Sequence, residues 1–502
     1  MEKKQTEKLK ERLTEIAYIA SSVAVLNWDM ETNMPPQGAD ARARSISHLS
    51  AVVHDKFVKI NEDGLLTDLK RQVDEGVLSK NDTVIIRETW RSYERERKLP
   101  ETFVKELSET VSRAQVVWAS AREKSDFKLF LPWLEKIIKL KKQEAELIGF
   151  KNSPYDVSLD YHEPAMTAEK TSEVLNELKI FLIPFVAKIK NSKIKINPEI
   201  LKGNFPTEKQ TVFNKKVAQK IGFDFQSGRM DQSVHPFSTS FHPSDSRITT
   251  RYEKIDVLSS IGTTIHEVGH ALYEQGLPAR YFGTPLAESV SYGIHESQSR
   301  LWENMIGKSF AFWQYFYPQL KKDFPTPFKN LSLKEFYKTI NCVRPSLIRV
   351  EADEVTYNLH IIMRFEIERD LIENKINAKD LPEIWNQKMK EYLGIKASND
   401  KVGVLQDVHW SMGGVGYFPT YSLGNLYSAQ FYNKMSKDIG NIDDQVGQGN
   451  FGEIINWLGK NIHSLGKTYT ASNLVKKVTG EELNSKYFSD YLEKKYGEIY
   501  EI

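Results

Sequence analysis

The sequence predicts a mostly α-helical protein with one small β-sheet. Apolar residues recur at helical spacing along most of the 502 residues. One stretch, residues 222–252, breaks that spacing. In FDFQSGRMDQSVHPFSTSFHPSDSRITTRY, Ser, Thr and Phe alternate while Gly and Pro punctuate, as in short strands joined by exposed loops. The run that follows, IDVLSSIGTTIHEVGHALYEQG, returns to helical spacing and carries the pentad HEVGH at 266–270.

Taken in order, residues 5–27 carry a helical apolar pattern that Pro35, Pro36 and Gly38 interrupt. Residues 40–150 continue in helices rich in Lys, Glu and Arg. Residues 168–191 read as a strong helix, with a kink expected at Pro184, whose ring removes a donor and crowds the preceding turn. The sheet at 222–252 directly precedes the HEVGH helix and is placed to form one wall of a groove. In that helix Ile261, Ile265, Val268 and Leu272 form one stripe, and Gly276 is its expected stop. A second helix, marked by Ile294, Leu301 and Met305, follows a turn through Gly276 to Pro285. Helices return over 331–396. Residues 401–425 are Gly-rich and aromatic and read as a loop running into a helix, and roughly the last 70 residues are helical.

Composition narrows the function. A net charge of +2 with both signs spread along the chain gives no basic stripe for nucleic acid. A single cysteine, Cys342, excludes an intrachain disulfide and a thiolate zinc cluster and fits a reducing compartment. It reads as a small buried apolar residue. The N-terminal MEKKQTEKLKERLTEI is charged and amphipathic, unlike a secretory leader, and no long apolar run suggests a membrane span. A cytoplasmic location is expected. The length suits a large buried core, as one helical body over 1–502 or as several domains.

HEVGH points to hydrolysis at a zinc ion. Residues four apart on a helix share a face, so His266 and His270 can grip one metal. Glu267 lies on the adjoining side, where a carboxylate can take a proton from water activated by the metal. Gly269, a weak helix former, suits a place where another backbone or a ligand comes close. A catalytic zinc site has three protein ligands and one open position, so a third ligand is needed. Glu296 is the candidate and its neighbour His295 the rival. Adjacent residues point about 100° apart on a helix, so only one of them can face the metal.

HEVGH followed by HESQSRLWEN resembles the M32 family of zinc metallocarboxypeptidases, the thermostable or Taq-type carboxypeptidases. HPF (235–237), DSRITT (245–250), IRVEAD (348–353), GVLQDVHW (403–410) and the opening LNWDMETNMPPQGADARA resemble the family's signatures in order and approximate spacing. The resemblance implies a helical fold of the neurolysin and angiotensin-converting-enzyme type, with two lobes flanking a deep groove and zinc at its floor. It implies stepwise removal of single residues from peptide C-termini, with broad side-chain tolerance and poor release of proline. A homodimer is implied too, with Zn²⁺ or, in some members, Co²⁺.

An exopeptidase must also recognise a free carboxylate, for which arginine's planar fork is suited. Arg349 matches the arginine of the family's IRxxAD signature; the competing reading is an ion pair with Glu351, Asp353 or Glu354. Arg247 of DSRITT is the second choice, in a segment that in the family helps close the groove, and Arg344 has only its charge. A donor for the developing oxyanion is also required. HWSMGGVGYFPTY offers His409, Tyr417 and Tyr421. Related peptidases of this fold place a histidine and a tyrosine of the corresponding segment over the scissile carbonyl, and Tyr421 is preferred over Tyr417. His235 of HPF lines the groove by the same resemblance. Asp353 and Glu354 are candidates to orient the ligand imidazoles. The alternatives are an oligopeptidase of the same clan, cutting internally, and a non-catalytic helical binding protein. Glu267 argues against the last, because a structural zinc needs no base.

Overall fold

The computed structural model describes residues 2–502. Helices carry most of the chain, starting with Glu2–Thr32 and ending with Lys486–Tyr500. Residues 40–150 resolve into five helices between Ala39 and Ile148, joined by short turns. The helix Ala168–Asn191 runs on through Pro184 as one element. Leu178, Leu182, Phe185 and Val186 around the proline are all buried, and that packing retains the helix despite one missing backbone donor. Cys342 is half-buried rather than buried; its thiol lies 3.7 Å from the Ile196 carbonyl.

The sheet lies within the expected stretch. Its strands are β1 (Gly228–Gln232), β2 (Ser238–His242) and β3 (Asp245–Thr250), in the order β1-β3-β2. β3 is central, parallel to β1 with Gly228 opposite Ser246 and antiparallel to β2 with Ser238 opposite Ile248. Its Ser246, Ile248, Thr249 and Thr250 are buried. Thr250 ties the sheet to the next helix, its hydroxyl 3.0 Å from that of Thr263.

That helix, Val257–Gln275, is the HEVGH helix. Asp256 caps it, accepting from the Leu258 and Ser259 N–H groups at 3.0 and 3.2 Å, which satisfies donors that no helical carbonyl can reach. Its predicted stripe is buried and Gly276 ends it. Two further helices complete the centre: Tyr292–Arg300, which holds Glu296 and continues into a π turn over Leu301–Ile306, and Phe418–Ile439, which holds Tyr421. Close approach among the three depends on glycine. A Cβ at Gly269 would lie 2.6 Å from the Ser299 Cα, and one at Gly424 would lie 2.6 Å from the Glu296 Cγ. The principal hydrophobic core encloses this assembly, while a smaller one joins the N-terminal helix to residues 60–86 and Leu286.

Candidate active site

The i, i+4 spacing brings His266 and His270 together with their Nε2 atoms 3.2 Å apart. Glu296 Oε2 lies 3.5 Å from the Nε2 of His270 and 3.9 Å from that of His266. Nδ1 of His266 faces Glu303 Oε2 at 2.9 Å, and Nδ1 of His270 faces the His295 carbonyl at 3.2 Å. Both partners are acceptors, so in the neutral rings each N–H sits on Nδ1 and both Nε2 lone pairs face inward. Two lone pairs and a carboxylate oxygen thus converge with no N–H between them, a cluster that a divalent cation satisfies. Two nitrogens and one oxygen also form the donor set of catalytic zinc sites that keep one open position. The same demand for positive charge shows in His266: burial opposes its charged form, but the hydrogen bond to Glu303 and the charge of Glu296 outweigh it and raise the pKa. His270 goes the other way, held neutral by burial and by the neighbouring His295 and His266.

The surrounding residues hold this cluster rigid. Arg300 donates to Glu296 Oε1 at 2.7 Å and to Glu303 Oε2 at 3.1 Å. Burial alone would raise the Glu303 carboxyl, but Arg300 and the His266 hydrogen bond keep it well below the usual carboxylate range. Asp353 and Glu354, considered for this task from the sequence, lie elsewhere. Asp353 accepts the N–H groups of Arg344, Val355 and Thr356, and Glu354 pairs with Lys495 at 2.8 Å. Glu303 could have been found by spacing: it stands seven residues after Glu296, two turns on, with Arg300 between them. His295 is not a member of the cluster: its ring stacks on His270 at 4.5 Å and its Nε2 lies 2.8 Å from Glu274.

Glu267 makes no side-chain hydrogen bond or ion pair among the described residues, and burial pushes its carboxyl up to about 7. A carboxyl with such a pKa beside a metal site suits proton transfer near neutrality.

Beyond the metal cluster lies a second group. His409 Nε2 is 3.3 Å from the Tyr421 hydroxyl, and the Tyr417 and Tyr421 rings lie 5.3 Å apart. Burial holds His409 at about 4, so its ring is neutral at ordinary pH. Arg349 is buried, its Nε donating to Asp407 Oδ1 at 2.9 Å and its Nη1 to the Tyr357 hydroxyl at 3.0 Å. Its partner is thus Asp407, not one of the neighbouring acids. Arg364 donates to the other oxygen of Asp407 at 2.7 Å, leaving two guanidiniums on one carboxylate. Arg349 Nη2 donates no hydrogen bond among the described residues. Tyr357 joins the two groups, with the Arg300 guanidinium 4.5 Å from its ring centre.

The chain resembles known enzymes along nearly its whole length. A family model described as "Carboxypeptidase Taq (M32) metallopeptidase" matches residues 8–496. The chain belongs to the M32 carboxypeptidases. It is 40% identical to carboxypeptidase 1 of Bacillus subtilis over 97% of each chain. It is also 40% identical to thermostable carboxypeptidase 1 of Thermus thermophilus over 97% of each. The crystal structure of an M32 carboxypeptidase from Deinococcus radiodurans superposes with a TM-score of 0.96 at 35% identity, covering 99% of this chain and 100% of that one. The protein is a metallopeptidase, a peptide hydrolase that uses a metal ion, and its helical fold is that of this family.

The remaining candidates of this M32 chain lie apart from the two groups. Arg247 pairs bidentately with Asp245 at 2.9 Å and packs over Trp28 at 4.4 Å and Phe241 at 4.7 Å. His235 is exposed on the loop between β1 and β2. Among the described residues neither shares a hydrogen bond, ion pair or ring contact with the metal cluster, Arg349 or the tyrosines. Tyr357, Arg364 and Asp407 were not singled out by sequence reasoning, although Asp407 stands in the GVLQDVHW signature.

Proposed function

We propose that this M32 enzyme is a zinc-dependent carboxypeptidase that removes single residues from peptides with a free C-terminus, with broad tolerance and poor release of proline. The observation that carries the reading is the inward convergence of His266 Nε2, His270 Nε2 and Glu296 Oε2 beside the unpaired carboxyl of Glu267. Zn²⁺, with Co²⁺ as a substitute, would be held by these three donors and would supply Lewis acidity at an open fourth position. Glu267 takes a proton from the attacking water and hands it to the leaving amine. Neutral His409 and Tyr421, with Tyr417 behind, donate to the developing oxyanion. Arg349 meets the substrate's carboxylate with its unoccupied Nη2 edge. His235 and Arg247 act farther along the substrate. The active species is a cytoplasmic homodimer.

A time course on an unblocked peptide, run beside metal analysis, tests this reading. Stepwise loss of single C-terminal residues is expected, abolished by chelation and restored by Zn²⁺ or Co²⁺. Internal cleavage, or equal turnover of a C-terminally capped peptide, would make the enzyme an oligopeptidase instead.

A further inference from the structure

The loop 403–416, which carries Asp407 and His409 and runs into Tyr417, has no regular element of its own beyond one short 3₁₀ turn over His409–Met412. It contains Gly403, Gly413, Gly414 and Gly416, of which Gly413 and Gly416 sit at φ of 70° and 80°. Such a segment is loose unless something outside it fixes it. Trp118 holds its start by donating to the Leu405 carbonyl at 3.1 Å, and the helix Tyr357–Ile372 holds the part with the donors. Arg364 holds Asp407, as above. One turn on, Glu368 is fully buried and receives three hydrogen bonds. Trp410 Nε1 donates to its Oε1 at 2.9 Å, and the Gly416 N–H donates to its Oε2 at 3.0 Å. The Tyr155 hydroxyl donates to Oε2 at 2.9 Å. Tyr357, Arg364 and Glu368, seven and four residues apart, share one face of that helix.

The two loop contacts are placed for function. Trp410 directly follows His409, and Gly416 directly precedes Tyr417. One carboxylate therefore holds the neighbours of His409 and Tyr417, two of the three proposed donors, whose ring centres are 5.3 Å apart. A carboxylate among Phe365, Ile367, Leu371 and Ile372 contributes nothing to packing that a leucine would not, and its burial is costly unless its hydrogen bonds are met.

We propose that Glu368 is a positioning residue for catalysis, setting the oxyanion donors by pinning both ends of the 410–416 segment. The inference rests on the reading of His409 and the tyrosines as those donors. Glu368 touches no substrate. It acts through the loop, while the carboxylate receptor is held separately through Arg364 and Asp407.

Glu368→Gln replaces one acceptor oxygen with an amide N–H₂ that cannot accept from Trp410 or Gly416. With metal content unchanged, kcat should fall on the order of 10- to 100-fold, the scale of a misplaced catalytic group. KM for a free-acid peptide should stay within about twofold, since Arg349 keeps its own support. Tyr155→Phe is the control: it removes the donor outside the loop and should lower Tm while leaving kcat within about twofold. Should Glu368→Gln fail to fold, Trp410→Phe removes one of the two loop contacts without placing an amide in the core and should also lower kcat at unchanged KM. In a His409→Ala/Tyr417→Phe background the Glu368→Gln change should cost no further kcat, because residues that act through one another are not additive. A full multiplicative loss in that background, or parent kcat in Glu368→Gln, overturns the positioning role. Parent kcat in His409→Ala/Tyr417→Phe would instead overturn the assignment of the donors, and the inference with it.

Discussion

Replacing Arg349 tests how the enzyme tells a chain end from a chain interior. Chemistry at the metal is the same for both, so the choice must be made by a cation one residue beyond the scissile bond. Arg349 has Nε on Asp407 and Nη1 on Tyr357, which leaves Nη2 for a ligand. Truncation at this position should not unfold the protein, because Asp407 keeps its bond to Arg364 at 2.7 Å and is not left as a lone buried charge. A charge-assisted hydrogen bond is worth roughly 1.5 to 3 kcal/mol, which at about 1.4 kcal/mol per factor of ten is about 10- to 150-fold in selectivity. The parent should therefore favour a free-acid peptide over its C-terminal amide by at least about tenfold in kcat/KM. In Arg349→Ala the free acid should lose that factor while the amide changes little. Arg349→Lys should recover only part of it, because an ammonium lacks the planar fork. The assay is kcat/KM for the matched pair on all three proteins. Undiminished preference for the free acid in Arg349→Ala would refute the reasoning and turn attention to Arg247.

Three other perturbations follow from the same geometry. Glu267→Gln keeps the size of the side chain but cannot take a proton, so kcat should fall by at least about 10²-fold with metal content intact by elemental analysis. Glu303→Gln replaces the carboxylate that fixes His266 Nδ1 and should weaken metal binding about 10- to 100-fold in a chelator competition, with unchanged metal affinity as the result that sinks it. Glu163, buried where the Tyr427 hydroxyl and the Gly293 N–H donate to it at 2.9 and 3.0 Å, has its carboxyl raised by burial to about 7 from an ordinary 4.5. A raised carboxyl favours the protonated fold, so its contribution is complete below pH 4.5 and is lost as pH rises through 7, by roughly 3 kcal/mol in all. Glu163→Gln should remove that part of the decline when Tm is followed from pH 4.5 to 7, and an unchanged profile would show that Glu163 is ionised at no cost.

The parts legible in the sequence are those written in local periodicity. The stripe of Ile261, Ile265, Val268 and Leu272 predicts the HEVGH helix, Gly276 its end, and the alternation over 222–252 the sheet. The pair His266 and His270 follows from the same period, and Glu303 could have been reached from Glu296 by counting two turns. Legibility fails where a partner is distant in the chain. The acid that meets Arg349 is Asp407, and nothing in Glu351, Asp353 or Glu354 disqualifies them until Asp353 is seen accepting backbone N–H groups and Glu354 facing Lys495. Glu368 is hidden for the same reason: in MRFEIERDL it looks like a solvated helix residue, and its donors, Tyr155, Trp410 and Gly416, come from distant parts of the chain.

The contact between Gly424 and Glu296 bears on how such an enzyme can be altered. The helix with Tyr421 and the glutamate of the metal cluster touch through a position with no room for a single methyl group. A step that shifts this helix to reshape the substrate side also displaces the metal cluster, so the two properties cannot be explored one mutation at a time there. The loop 403–416 lacks that coupling to the metal, so its positions other than Asp407, His409, Trp410 and Gly416 can change while the metal stays bound. Laboratory evolution toward new peptide preferences should accumulate its substitutions at those remaining loop positions and leave residues 420–428 nearly unchanged.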